Sequence, residues 1–362
     1  MKIAQVSPLI ESAPPLGYGG TERAVSYLTE ALVEAGHDVT LFASGDSQTA
    51  GRLVPLCARS LRSSQQEAEH NAYLLAGFES IFRQAHKYDV IHFHTGYLSF
   101  PVIRRSDAVT VTTMHGRLDI PGLDRVSEEY ADIPLVAISN AQRYPAPNLN
   151  WAATIFHGLP EDLYDFKDSP QPYLCFVGRI SREKGIEEAI EIARLSGLPL
   201  KIAAKIDPQD RDYYESVVRE KIDRSPAIEF LSEIGEAQKN ELMGNALGLL
   251  FPTMCNESFG LAMIEAMACG TPVIAFRNGA VPEVLDDGVT GFVCRSVQEA
   301  AYKVNFLRKL DRWEIRRTFE VNFGIRRIAE QYVDLYERLR EQSRGSGRGK
   351  YARRLQMLAS VS

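Results

Sequence analysis

The 362-residue chain has no apolar run long enough to cross a membrane. It starts directly on a strand-like run, residues 2–7, so no signal peptide is expected. Cysteine is sparse. Cys57, Cys175, Cys255, Cys269 and Cys294 are odd in number, scattered, and form no C-x-x-C pair. That argues against a zinc site or a disulfide frame and fits a reducing, cytoplasmic compartment. No internal repeat suggests a solenoid. Excess positive charge is missing too: the formal net charge is -6, so the chain as a whole is not built to coat nucleic acid. Neither half has G-x-G-x-x-G just after a strand with an acid about twenty residues on, which argues against a nicotinamide-dependent oxidoreductase.

What the chain does have is ordinary apolar content and a regular alternation. Domains run to about 100–200 residues, so two are expected, and 45% hydrophobic residues suffice for two cores. Short apolar runs alternate with helix-period segments, the pattern of βα units around parallel sheets. In the first half the strand candidates are 3–7, 38–42, 90–94, 109–113, 135–138 and 154–156. Ala24, Val25, Leu28, Leu32 and Val33 recur at helical spacing over 22–34, and Gly36 closes that helix. Prolines and acids crowd 160–172, where an interdomain hinge is expected. A second series follows at 174–177, 200–203, 228–231, 248–251, 273–275 and 292–294. Ile325, Ile328, Tyr332, Leu335, Tyr336 and Leu339 make one stripe on a final helix, expected to pack against both domains.

The expected fold is α/β: two Rossmann-like, doubly wound parallel-sheet domains facing a cleft, with ligands beyond the strand carboxyl ends. The expected boundaries are 1–165, 166–322, a crossing helix at 323–341, and a tail at 342–362. That tail is rich in Gly and Ser, with Arg344, Arg348, Lys350, Arg353 and Arg354 and no acid. It reads as disordered. A solubilising role and contact with an anionic membrane surface or partner both stay open.

The strongest chemical signal runs from Glu257 to Glu265. It follows a buried strand and continues as a helix. Gly260 lets a ligand approach the backbone, and free N–H groups over 259–263, with Phe259, Gly260 and Leu261, make a seat for a diphosphate. Glu265 lies too far into the helix to cap it and can accept hydrogen bonds from a diol such as a ribose, whereas Glu257 can face another hydroxylated group. The alternative is a pair of buried acids held by backbone donors. In a second loop, between a strand and a helix, Arg179 and Lys184 can clamp two phosphates.

Two carboxylates with seven residues between them, within ESFGLAMIEAMACGTPVIA, resemble the signature of retaining glycosyltransferases of the GT-B fold, more narrowly glycosyltransferase family 4. The resemblance runs from Met1 to about Leu339 through several motifs in order. It implies that Arg179 and Lys184 hold the donor diphosphate as it leaves. It also implies that Gly19 and Gly20 belong to a glycine-rich loop near the donor phosphates and the acceptor, and that His115 lies near the transferred sugar. By itself a glycine pair is a turn, and a lone histidine is more often structural. The long connection 8–18 is expected to form part of the acceptor side.

Lys205 and Ile234 follow successive strands, where backbone groups and an apolar side chain suit a nucleobase. His92 and His94 share a strand face but lack a third metal ligand, and the resemblance makes them part of the fold. Asn140 is a candidate cap for the segment after its strand. His157 departs from the resemblance, which usually has Asn before this glycine. The loop Gly279–Glu283 reads as mainly structural.

The resulting expectation is a hexosyltransferase that moves a sugar from a UDP- or GDP-sugar to an acceptor hydroxyl. No Asp-x-Asp stands in a plausible phosphate loop, so no cofactor or metal is expected. The resemblance implies retention at the anomeric carbon. A phosphorylase or epimerase of sugar phosphates or sugar nucleotides, and a non-catalytic sugar-nucleotide-binding protein, are the alternatives.

Overall fold

The computed structural model describes residues 1–63 and 67–345. Its strands form two sheets in which every pairing is parallel. In the first, β1 (Lys2–Val6), β2 (Asp38–Ser44), β3 (Arg52–Cys57), β4 (Val90–Phe93), β5 (Thr110–Met114), β6 (Leu135–Ala137) and β7 (Trp151–Thr154) lie in the order β3-β2-β1-β4-β5-β6-β7. In the second, β8 (Leu174–Arg179), β9 (Leu200–Lys205), β10 (Ile228–Phe230), β11 (Gly248–Phe251), β12 (Val273–Phe276) and β13 (Gly291–Cys294) lie in the order β10-β9-β8-β11-β12-β13.

Two compact units contain these sheets. The first takes Met1–Ile138, Arg143–Phe156 and the chain from Ile325 on, and the second takes Ser139–Gln142 and His157–Gly324. The proline- and acid-rich stretch 160–172 therefore falls inside the second unit. The stripe expected on one final helix occupies Ile325–Gly345, which belongs to the first unit. A separate helix, Arg312–Phe323, ends the second unit. Residues 346–362, most of the basic tail, lie outside the described residues. No described helix is long and apolar enough to cross a membrane.

Side-chain alternation explains why the first sheet is covered on both faces. Ile3 pairs in register with Val39 and with Val90, and all three face the cluster built with Leu28, Leu32 and the final helix. Their neighbours Ala4 and Ile91 point the other way, into a cluster with Phe42, Phe78 and Phe93. The final helix contributes Ile328, Tyr332, Leu335 and Tyr336 to the first cluster. Full burial of such a side chain is worth about 1.5–3 kcal/mol, so this helix is a wall of the unit's core. In the second unit Leu174, Phe176, Ile202, Leu250 and Ile274 form the core with the helices Ile186–Ser196 and Val297–Val304. Arg312 fastens the end of this unit through bonds to the carbonyls of Lys167 (2.6 Å), Gly244 (2.8 Å) and Ala246 (3.1 Å).

β3 was absent from the strand candidates. It is an edge strand whose Arg52 and Pro55 break the apolar pattern. The candidate 154–156 overlaps β7 by one residue, because the half-buried β7 carries no strong apolar run.

Candidate active site

In the second unit, strand order reverses between β8 and β11. Ligands in open parallel sheets bind beyond the carboxyl ends at such a point. Arg179 is the last residue of β8, and Lys184 closes the short turn before the helix Ile186–Ser196. The chain leaving β11 meets that turn directly. Met254 N–H donates to the Glu183 carbonyl (2.8 Å), and Thr253 Oγ1 donates to the same oxygen (3.2 Å). Gly185, at φ 71°, permits this approach, since a Cβ there would lie 1.9 Å from the Pro252 carbonyl oxygen. The contact brings two sequence motifs together: Lys184 Nζ lies 2.5 Å from Glu257 Oε2 and 5.8 Å from the centre of the Phe251 ring. Ala280 N–H donates to the Glu257 carbonyl (2.8 Å), which ties the loop Gly279–Glu283 to the Glu257 segment.

Arg179 is surrounded by acids that sequence reasoning did not single out. Its guanidinium lies 3.5 Å from Asp207, 3.5 Å from Asp210 and 3.7 Å from Glu183. Lys205, the last residue of β9, pairs with Asp207. Arg179 Nε and Asp210 Oδ2 are buried and face each other without a hydrogen bond. Five rigid donors held only by loose ion pairs can exchange them for the shorter bonds a diphosphate offers. Asp210 and Asp212 form an Asp-x-Asp in sequence, but Asp210 is engaged with Arg179. Among the described residues no group of three His, Cys, Asp or Glu could hold a metal ion.

Gly260 caps the helix Leu261–Ala268 at φ 91°, and a Cβ there would come within 2.6 Å of Met263 Cε and 3.0 Å of the Phe251 ring. Met263 N–H already donates to the Gly260 carbonyl (3.0 Å), so it is not among the free donors expected over 259–263. Phe259 is buried and meets the His157 ring edge-on at 5.1 Å. Burial holds the His157 imidazole down at about 4, so it is neutral at pH 7. Glu265 is 5% exposed and bonded to Lys239 Nζ (2.7 Å), which also reaches Glu236 at 3.0 Å. Lys239 was not a candidate. It lies 26 residues away in sequence, on the helix Glu236–Gly244, and no local motif marks it. Ile234 follows β10, half-buried. Ser139, not Asn140, caps the helix Asn140–Arg143 by accepting from Gln142 N–H (3.0 Å), because Asn140 donates to Glu283 from N (2.8 Å) and Nδ2 (2.9 Å).

In the first unit strand order reverses between β1 and β4. The loop after β1 leads to Gly19 and the helix Gly20–Glu34. A Cβ on Gly19 would lie 2.8 Å from Pro15 and 3.0 Å from Glu11, so Gly19 packs against its own loop. Buried Glu22 accepts from Glu11 N–H (3.4 Å), and Arg62 pairs with Glu11. His94 follows β4 and His115 follows β5, and their rings are joined from Nδ1 to Nε2 at 2.9 Å. His94 Nε2 meets Gln5 Oε1 (2.7 Å), while His92 is held by Tyr336 Oη (2.7 Å) and Thr113 Oγ1 (2.7 Å). All four ring nitrogens of His92 and His94 thus have hydrogen-bond partners, which leaves none for a metal. Gln5 and Tyr336 were not site candidates, and His94 was weighed only as a metal ligand and as part of the fold, because tertiary packing alone unites the three.

Residues 18–156 match the model of Glycosyltransferase Family 4, and 165–322 match Glycosyl transferases group 1. A probable sucrose-phosphate synthase of Thermosipho melanesiensis is 32% identical over 189 residues, 49% of this chain and 44% of that protein. The chain spans about half the length of the curated relatives it matches there, a sucrose-phosphate synthase and an alpha-maltose-1-phosphate synthase. Among solved structures, sucrose-phosphate synthase from Thermosynechococcus elongatus superposes with a TM-score of 0.77 at 22% identity, covering 93% of this chain and 98% of that one. Anabaena Alr3699/HepE in complex with UDP-glucose superposes with a TM-score of 0.70 at 18% identity, covering 92% and 98%. With both halves matched in chain order, and two parallel sheets of the kind these neighbours have, the chain belongs to the glycosyltransferases of the GT-B fold, of the family 4 type.

Proposed function

We propose that this chain is a retaining hexosyltransferase that moves a sugar from a UDP- or GDP-sugar to an acceptor hydroxyl without a metal. The observation that carries the reading is the meeting of the Arg179–Lys184 loop with the Glu257–Gly260 loop at the strand reversal of the second unit. A nucleoside diphosphate leaves readily once its charge is stabilised. Arg179, Lys184 and the start of the helix Leu261–Ala268 supply that stabilisation. Loss of one such preorganised contact costs about 10²–10³ in rate. The bound UDP-glucose of the Anabaena neighbour supports a nucleotide-sugar donor.

Glu257 is a poor nucleophile here, because Lys184 holds its carboxylate. In this reading the bond from the anomeric carbon to the diphosphate breaks with its electron pair going to the phosphate oxygen. The acceptor oxygen bonds to the same face of that carbon, and its proton passes to the leaving oxygen. Glu265, kept buried and paired by Lys239, accepts the ribose hydroxyls, and His115 meets the transferred sugar.

The test is thermal unfolding against nucleoside diphosphates and their sugars, with and without magnesium. A ligand at a hundred times its dissociation constant adds about 2.7 kcal/mol. Stabilisation by one base that persists without metal and is lost in Arg179→Ala is the expected result. Stabilisation only by sugar phosphates would move the reading to a phosphorylase, and a folded protein that responds to neither would refute a nucleotide-sugar site.

A further inference from the structure

A continuous polar chain crosses the core of the first unit. It runs from His115, at the end of β5, to Tyr332 and Tyr336 on the final helix. Gln5, His92, Thr113 and Tyr336 are each 0% exposed, so in this chain each hydrogen bond limits the direction of the next.

The amide of Gln5 supplies the direction. Its oxygen only accepts, so the hydrogen between it and His94 Nε2, 2.7 Å away, belongs to His94. A neutral imidazole with Nε2 protonated has its lone pair on Nδ1. His115 Nε2, 2.9 Å from that lone pair, must then be the donor. On the other side the Gln5 amide nitrogen donates to Tyr336 Oη (3.1 Å), which passes its own hydrogen to His92 Nδ1 (2.7 Å). His92 then donates from Nε2 to Thr113 Oγ1 (2.7 Å), which stands 2.9 Å from Tyr332 Oη. Burial holds His92 well below its ordinary range and both tyrosines above theirs, which keeps the three groups neutral.

We propose that this chain locks His115 into one tautomer, with Nε2 protonated and Nδ1 as the basic nitrogen, and that Gln5 and Tyr336 are positioning residues for it. With its one N–H directed at His94, a neutral His115 has only the Nδ1 lone pair to offer a sugar hydroxyl, and the lock fixes that acceptor role before any ligand arrives. The functional consequence rests on the reading of His115 given under the proposed function; the tautomer itself does not.

The experiment is nitrogen-15 NMR of the histidine rings in the full-length protein without ligand. The expected result is a single His115 species protonated at Nε2. Tyr336→Phe leaves the Gln5 amide nitrogen without its acceptor, and Gln5→Met removes the acceptor facing His94. Either variant should give a mixture of His115 tautomers, and Tyr336→Phe should lower kcat by about ten- to a hundredfold with donor affinity unchanged. Protonation at Nδ1 or a mixture in the unaltered protein would overturn the proposal, and so would a single Nε2 tautomer that survives in both variants. A protein that binds no nucleotide yet shows the single tautomer would refute the glycosyl-transfer reading and leave the lock standing.

Discussion

At the scale of the residue, His157 makes stability depend on pH. Its imidazole titrates at about 4 in the folded chain, against an ordinary 6.5, because burial disfavours the charged form. The unfolded chain therefore binds a proton first as the solution is acidified. The contribution is complete above pH 6.5 and drains away as pH falls toward 4, to a total of about 3 kcal/mol. His92, also held down by burial, adds to the same slope. Replacing His157 by Asn should flatten that loss, as measured by urea unfolding at several pH values between 4 and 7. An unchanged slope would mean that the proton goes elsewhere. Lys239 shows where single-residue reading stops. Glu265 stood out within a helix motif, but the lysine that neutralises it is recognisable only once two helices are packed.

At the scale of the element, the loops after β8 and β11 depend on one backbone approach. Gly185→Ala puts a methyl group where the Pro252 carbonyl sits and forces a side chain into the left-handed region. The conformational term alone is about 1–2 kcal/mol, and the clash adds to it. A loss above about 2 kcal/mol in denaturant unfolding is expected, together with weaker nucleotide binding, and a variant as stable as the parent would show that the loops can part without cost. Elements of this kind were largely legible in the sequence. Strands buried on both faces, such as β11 and β12, announce themselves as apolar runs, and the glycines and charges after β8 and β11 sit within short motifs. β3 and β7 were harder to read because an edge strand needs neither continuous apolarity nor a full set of donors. The buried wire was not legible at all: Gln5 and Tyr336 are 331 residues apart, Gln5 looks like an ordinary polar member of its strand, and Tyr336 like one more member of the final helix's apolar stripe.

At the scale of the whole molecule, the two units differ in how the chain builds them. The second is almost one continuous segment, 157–324, whereas the first needs the residues from Ile325 on as well as the opening 156. Expressed alone, 157–324 should unfold cooperatively and keep its response to nucleotide. Residues 1–156 alone should aggregate, because Ile3, Val39, Val90, Val111 and Val136 lose the helix that covers them, and joining Ile325–Gly345 to that fragment by a linker should restore solubility. A soluble, cooperative 1–156 would show that the final helix is dispensable.

The return of the final helix to the first sheet also orders events on the ribosome. Translation at ~5–20 residues per second takes about 10–40 seconds to cover the stretch from 157 to 345. For that interval the first half of the protein exists with one face of its sheet covered only in part, by the helix Gly20–Glu34, while the second half, though made later, can close as it emerges. The part synthesised first is thus completed last, and a nascent-chain chaperone would find its longest-lived apolar target there.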